Sequence, residues 1–278
     1  MTMETPAGPD PATVRAAASR PGVRAAFDRA HQALGDLRFA EGLRRGWQEA
    51  RAEAAVREAA ALAVLEGARV TVDDLRTHSM RDTGGADFDP ATALAVGIWR
   101  SQWNMASRFE PLNQRRAGAG RAPVPLPALV ASLHRDACSA LVASGRLPAG
   151  RVAIPVSPAV LAAAMARTRI DAPAIARAGA VIAHFRQCEV FSPASVAVGA
   201  GLARWILVSS GVDPTGAAVV SAADALDPVG AARALAGWAS GDEAGVGEWL
   251  VHVAQCVEYG ARIGRDIAVH VQARTLGD

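Results

Sequence analysis

Lysine is absent from this chain of 278 residues, and all 29 of its basic side chains are arginine. That excludes a Schiff-base lysine, a catalytic lysine and the lysine of a Walker-type phosphate loop. The abundance of alanine and arginine matches a GC-rich coding bias. Aromatic residues are scarce at 5%, and the net charge is only +2. So even a balance lacks the concentrated basic excess of a nucleic-acid-binding protein, and no nucleic-acid partner is expected. Cysteine is nearly absent too. Cys138, Cys188 and Cys256 are widely spaced, odd in number and without a Cys-x-x-Cys pair, so reduced thiols are expected rather than a disulfide framework. No long apolar run occurs. The most apolar stretch, from Ala194 to Ser210, is broken by Gly199, Gly201 and Arg204, too early for a bilayer span. The segment from Met1 to Pro21 lacks the apolar core of a signal peptide. A soluble cytoplasmic protein is the expectation.

What is present is enough apolar material for a core. Hydrophobic residues make up 51% against 20% charged, which favours folding over disorder. The length suits one large domain or two small ones, and no linker splits it. Residues 1–20, rich in Ala, Pro and Gly, read as a disordered tail, and residues 21–278 as a single helical domain. A helix-period pattern runs from Phe39 to Leu65 and meets Gly67, a left-handed stop. Asp89-Pro90, Ser157-Pro158, Ser192-Pro193 and Asp227-Pro228 each pair a capping side chain with a proline at the first helical position. Gly145 and Gly211 stop the helices that start near Pro127 and Ser192. Two last helices are expected over Pro228–Ala239 and Gly245–Ala273. The fold class is all-α. Asn113–Pro127 reads as an exposed loop, and Arg151-Val-Ala-Ile-Pro155 is the one candidate strand, suited to a small β-hairpin or flap.

Three segments carry a family resemblance. The run Ala60-Ala-Leu-Ala-Val-Leu-Glu-Gly-Ala-Arg-Val-Thr-Val-Asp-Asp-Leu-Arg76 resembles the first helix and turn of Fic/Doc-type proteins. The run from Phe191 to Pro214, with Ala203-Arg-Trp-Ile-Leu-Val-Ser-Ser-Gly-Val-Asp-Pro214, is similar to the Fic signature and its following helix. Trp238-Ala-Ser-Gly-Asp-Glu-Ala-Gly-Val-Gly-Glu-Trp-Leu250 is similar to a C-terminal pattern of an actinobacterial Fic-like group. The resemblance covers Pro21 to the C-terminus and implies a Fic-like helical bundle. For such proteins it implies AMP transfer from ATP to a protein hydroxyl, through a signature His-x-Phe-x-Asp/Glu-Gly-Asn-Gly-Arg-x-x-Arg.

Aligned on Phe191, that signature is degenerate here. Glu189 stands for the histidine, Pro193 for the metal-binding acid, and Ala194-Ser195-Val196 for the Gly-Asn-Gly cradle. Ala197 and Ala200 replace both arginines. Nucleotidyl transfer needs positive charge on the phosphates, a metal and a base, and none stands in its place. The family's inhibitory motif, Ser/Thr-x-x-x-Glu-Gly, is altered as well: Leu62 replaces the hydroxyl, and Glu66-Gly67 remain without an arginine partner. A capping or surface role is expected for Glu66.

The same region has gained polar residues. Glu189 and His184 are the candidate acid/base pair. Arg186, Trp99, Trp103, Ser195 and Arg204 are the candidate substrate-binding residues. Against this stands a plain helix end with ordinary polar side chains, a buried aromatic ridge for the tryptophans, and core or surface roles for His134 and His252. His184 and Cys188 lie on one helix face but lack two further zinc ligands, so neither a metal nor a cofactor is expected. Two functions follow as expectations: a small-molecule pathway enzyme or binder, as in secondary metabolism, using the altered site, or a non-catalytic interaction protein with a protein partner. Residual AMP transfer ranks last. The substrate and the oligomeric state are left open.

Overall fold

The computed structural model describes residues 8–79, 88–113 and 124–276. Twelve α-helices and a short 3-10 turn at Ala149–Arg151 account for the regular structure of these residues, with no strand among them. The chain is all-α.

Local capping places several of the helix starts. Asp89 accepts from the amides of Ala91 (2.9 Å) and Thr92 (3.1 Å) ahead of α5 (Pro90–Ala106). Ser157 caps α7 (Pro158–Arg167) through the amide of Ala159, and Asp227 caps α11 (Pro228–Ser240) through that of Gly230. A short polar side chain satisfies amides that the first turn leaves open, and proline there has no N–H to lose. At the other end, Gly67 takes a φ of 81° and stops α3 (Leu43–Leu65), with Ala68 N–H returning to the carbonyl of Ala63 at 2.7 Å.

Three expectations are corrected. The tail is helical from Pro11: α1 (Pro11–Ser19) starts on Asp10-Pro11, with Thr13 N–H donating to Asp10 at 2.8 Å, and buries Val14, Ala17 and Ala18. Composition suggested disorder, but the small side chains are what allow close helix packing. The long helix begins at Leu43 rather than Phe39, because α2 (Pro21–Arg38) ends first and the chain then crosses the C-terminal helix at Gly42. A Cβ there would stand 1.9 Å from the carbonyl oxygen of Ala268. Residues 151–155 form no hairpin. Most of the loop placed at Asn113–Pro127 lies outside the described residues, and α6 (Leu126–Ala143) already includes its last two.

The last helix, α12 (Glu243–Ala273), is the spine. Helices α1, α2, α3, α11 and α8 (Ala174–Cys188) pack against it around Leu34, Leu37, Trp238, Trp249 and Leu250. A second apolar layer joins the end of α3, α5, α6 and the start of α9 (Ser195–Ser209). A third, around Phe185, Phe191 and Leu202, joins α6 to α9. The two remaining helices are short: α4 (Val72–Ser79) follows α3, and α10 (Ala222–Leu226) bridges α3 and α12.

Candidate functional site

The residues chosen from sequence do not share a cavity. His184 is buried, with Nε2 2.9 Å from the carbonyl oxygen of Val160 on α7 and Nδ1 3.6 Å from Cys188 Sγ. Burial, with the charge of Arg167, lowers its pKa. Arg186, two positions along the helix, turns the other way and pairs with Asp224 on α10. Glu189 closes α8 in the left-handed region at φ 42° with its side chain in solvent. Ser195 is buried and donates to the carbonyl of Phe185 at 2.8 Å. Arg204 is 3% exposed and bonds Gln102 and the carbonyl of Gly216. Trp99 is half-buried against the second apolar layer, while Trp103 is 41% exposed.

The start of α9 departs from the sequence reading and explains Glu66. The helix begins at Ser195 rather than after Ser192-Pro193, and its N-cap, Ala194, has φ 71° and offers no side-chain bond. The missing cap comes from the far end of α3, where Glu66 Oε1 accepts from Ala197 N–H at 3.0 Å. Burial pushes the Glu66 pKa up, opposed by the amides of Ala197, Val196 and Ala194. The amides at this helix N-terminus therefore already meet a carboxyl group from within the chain.

Beside it, residues 152–156 lie along the turn before α9. Val156 N–H donates to the carbonyl of Val190 at 3.0 Å, and Ala153 N–H to Nδ1 of His134 at 2.8 Å. Ala153 has φ 61°, which breaks the extended run that a strand would need. His134 is buried, stacks on Phe191 at 4.5 Å, and reaches the carbonyl of Pro193 through Nε2 at 3.0 Å. With Nδ1 accepting and Nε2 donating, the ring is held neutral. A proton on Nδ1 would cost the Ala153 bond.

A pH dependence follows. Burial lowers the pKa of His134, and the Pro193 bond only partly opposes it. Between that lowered value and the ordinary 6.5, the unfolded chain binds more protons than the folded one. Stability is thus complete above pH 6.5 and falls as acid takes the pH below it. His184 acts in the same direction. Urea unfolding between about pH 7.5 and 5.5 should show a midpoint that drops in acid. His134→Phe should flatten the drop, leaving the share of His184. An unchanged slope in that variant would remove His134 from the account.

The densest reactive cluster is elsewhere, where α10 meets α12. Asp224 Oδ1 lies 2.7 Å from His252 Nε2 and 3.3 Å from Cys256 Sγ, and Sγ lies 3.5 Å from the same Nε2. Arg186 holds the other carboxylate oxygen. Burial raises the Asp224 pKa, but the His252 bond and the Arg186 charge outweigh it, and the net shift is downward. The Cys256 thiol goes well above its usual value through burial and the Asp224 charge. A nucleophilic triad needs its acid and its thiol on opposite ring nitrogens. Here both meet Nε2, and burial with the Asp224 charge disfavours the thiolate, so the three do not have the arrangement of a cysteine-nucleophile triad. The adjoining void, lined by Ser221, Trp249 and Ile182 among others, has a volume of about 10 Å³. A second void of about 10 Å³ follows, reaching Glu58 and Arg204. Each admits a water or an ion, not an organic molecule.

Sequence reasoning passed over Asp224, His252 and Cys256. The available signal was that each cysteine follows a histidine by four residues: His134 and Cys138, His184 and Cys188, His252 and Cys256. Among the described residues, the fold brings a carboxylate oxygen against the third pair alone.

One large concavity opens to solvent. It measures about 1160 Å³ and lies between the end of α2, the start of α3 and the end of α12. Arg38, Phe39, Arg44, Arg45 and Arg274 are on its wall. Phe39 is 85% exposed. Arg44 pairs with Glu41 at 3.2 Å, whereas Arg38, Arg45 and Arg274 have no acidic partner among the described residues.

Neither a family model nor a curated protein sequence matches this chain. Its reading therefore rests on its own residues. No helix of the described residues is long and apolar enough to cross a membrane.

Proposed function

We propose that this chain is a non-catalytic binding protein on a Fic-type scaffold, and that its groove engages an acidic segment of a protein partner. The observation that carries the reading is Phe39, an aromatic ring left in solvent among three arginines without acidic partners. Aromatic and arginine side chains are the ones that concentrate binding energy at protein interfaces. A groove of about 1160 Å³ also exceeds the usual range for small-molecule pockets. The small-molecule reading has less support, since His184, Arg186 and Glu189 face three different surroundings.

Support for the scaffold comes from one long-range contact. In the Fic family, the inhibitory glutamate pairs with the second arginine of the signature. Here Glu66 meets the helix aligned with that signature, at the amide of Ala197. With alanines where the arginines would stand and a carboxylate on the helix amides, a triphosphate finds repulsion in place of a cradle.

Two measurements test this. Calorimetric titration with ATP and magnesium should give no heat at millimolar nucleotide, and micromolar binding would overturn the reading. A photo-reactive side chain at position 39 should cross-link one stoichiometric acidic partner. The same group at exposed Val229 should not. Arg45→Glu should abolish that product, and raised salt should weaken it. Equal capture from positions 39 and 229 would count against the groove.

A further inference from the structure

We propose that Asp224, His252 and Cys256 form a binding site for a zinc-like divalent cation. The inference is independent of the groove. Three different donor atoms, a carboxylate oxygen, an imidazole nitrogen and a thiol sulfur, lie within 4.8 Å of one another at a buried junction of two helices. Around a tetrahedral zinc such donors sit about 3.3–3.6 Å apart. The sulfur already meets that spacing, at 3.3 Å from the oxygen and 3.5 Å from the nitrogen. The third separation, 2.7 Å, is a hydrogen bond that opens by about half an ångström when the ion enters.

The surroundings are those of a ligand set. Arg186 holds Oδ2 of Asp224 and leaves Oδ1 for the ion, the orienting role that outer partners of metal carboxylates take. Trp249 stacks on the His252 ring at 5.6 Å and is itself fixed by a 3.0 Å bond to the carbonyl of Gly179. The void of about 10 Å³ beside the cluster gives a fourth position to one water.

The donor chemistry selects the ion. One sulfur and one nitrogen among three ligands suit zinc and its neighbours, and are wrong for magnesium or calcium, which take oxygen. Without an ion, Oδ1 of Asp224 receives two protons, one from Sγ and one from Nε2. On binding, the S–H bond breaks, the sulfur–metal bond forms, and that proton goes to solvent. The His252 proton moves to Nδ1, so one proton leaves per ion and nothing is oxidised or reduced. The other two histidine–cysteine pairs lack the carboxylate and serve as internal controls.

The test uses the full chain, reduced, stripped with chelator and free of any histidine tag. Cobalt(II) titration should raise a thiolate-to-metal charge-transfer band that saturates at one equivalent. Zinc should displace it, and magnesium should not. Cys256→Ser should remove the band, and His252→Gln should weaken cobalt binding at least tenfold. The Cys138→Ser/Cys188→Ser double variant should retain the band, which keeps the test decisive if Cys256→Ser does not fold. No band in the wild-type chain, a band that survives Cys256→Ser, or one lost in the folded double variant would overturn the site.

Discussion

Arg204→Ala is expected to cost about 3–5 kcal/mol of folding stability, the scale for stranding one buried charge without its counterpart. Arg204 is 3% exposed, and Glu58 on α3 is 2% exposed. They do not touch, yet each makes the other tolerable. Burial lowers the Arg204 pKa, and the charges of Glu58 and Asp213 oppose it. Burial raises the Glu58 pKa, and Arg204 and Ser221 oppose that. Glu58 also takes the amide of Ser221 at 3.1 Å and its hydroxyl at 2.6 Å, which ties α3 to the start of α10. Removing the guanidinium leaves the carboxylate only the two Ser221 bonds to set against the cost of burial. It also frees the carbonyl of Gly216.

A double-mutant cycle separates charge from packing. Arg204→Met and Glu58→Gln together should cost less than the sum of the two single changes, by about 1–3 kcal/mol. Simple additivity within about 0.5 kcal/mol would show that the two charges do not depend on each other. Urea denaturation monitored by circular dichroism is sufficient. A substrate-binding arginine behaves differently: its loss leaves stability nearly intact.

Gly97→Ala should destabilise by about 2–3 kcal/mol, against the usual helix preference. Helices α5 and α6 cross here with their backbones in near contact. A Cβ on residue 97 would stand 2.0 Å from the carbonyl oxygen of Ala137 and 2.7 Å from its carbon. A side chain can swing aside, but a helix carbonyl cannot, so the two helices must separate. Alanine gains about 1 kcal/mol over glycine in helix propensity, and overpacking takes back about 3 kcal/mol or more. The net loss should lower the melting temperature by about 4–12 °C. Gly35→Ala is the control. It is helical in α2 with nothing within 4 Å of the added Cβ, and should stabilise by up to about 1 kcal/mol. Equal effects at both positions would mean that the α5–α6 crossing is not tight.

Helix starts that depend on neighbours in sequence were legible, and those that depend on distant groups were not. Asp89-Pro90 and Asp227-Pro228 work as read because the cap and its amides are two or three residues apart. Ser192-Pro193 has the same kind of signature, but its helix takes its cap from Glu66, 131 residues from the amide it meets. Asp10-Pro11 has the signature too, and an Ala-rich composition hid it. The altered patch failed on helix geometry: His184 and Arg186 are two positions apart, a spacing that points side chains in different directions. Asp224 joins His252 and Cys256 only through the turn that carries α10, which no local pattern encodes. The apolar run at 151–155 resembles a strand, but a strand needs a partner, and only one ladder-like bond forms, from Val156 to Val190.

The packing of α2 on α12 sets the order of events during synthesis. The apolar face of α2, with Val23, Phe27, Ala30, Leu34 and Leu37, is covered by a helix that starts at Glu243. At ordinary translation rates, about 10–40 s separates Arg38 from Glu243. For that interval the nascent chain carries an apolar stripe without the helix that provides its main cover. Folding of this core therefore waits until α12 has been made, and yield in a cell should depend on whatever shields that stripe during elongation.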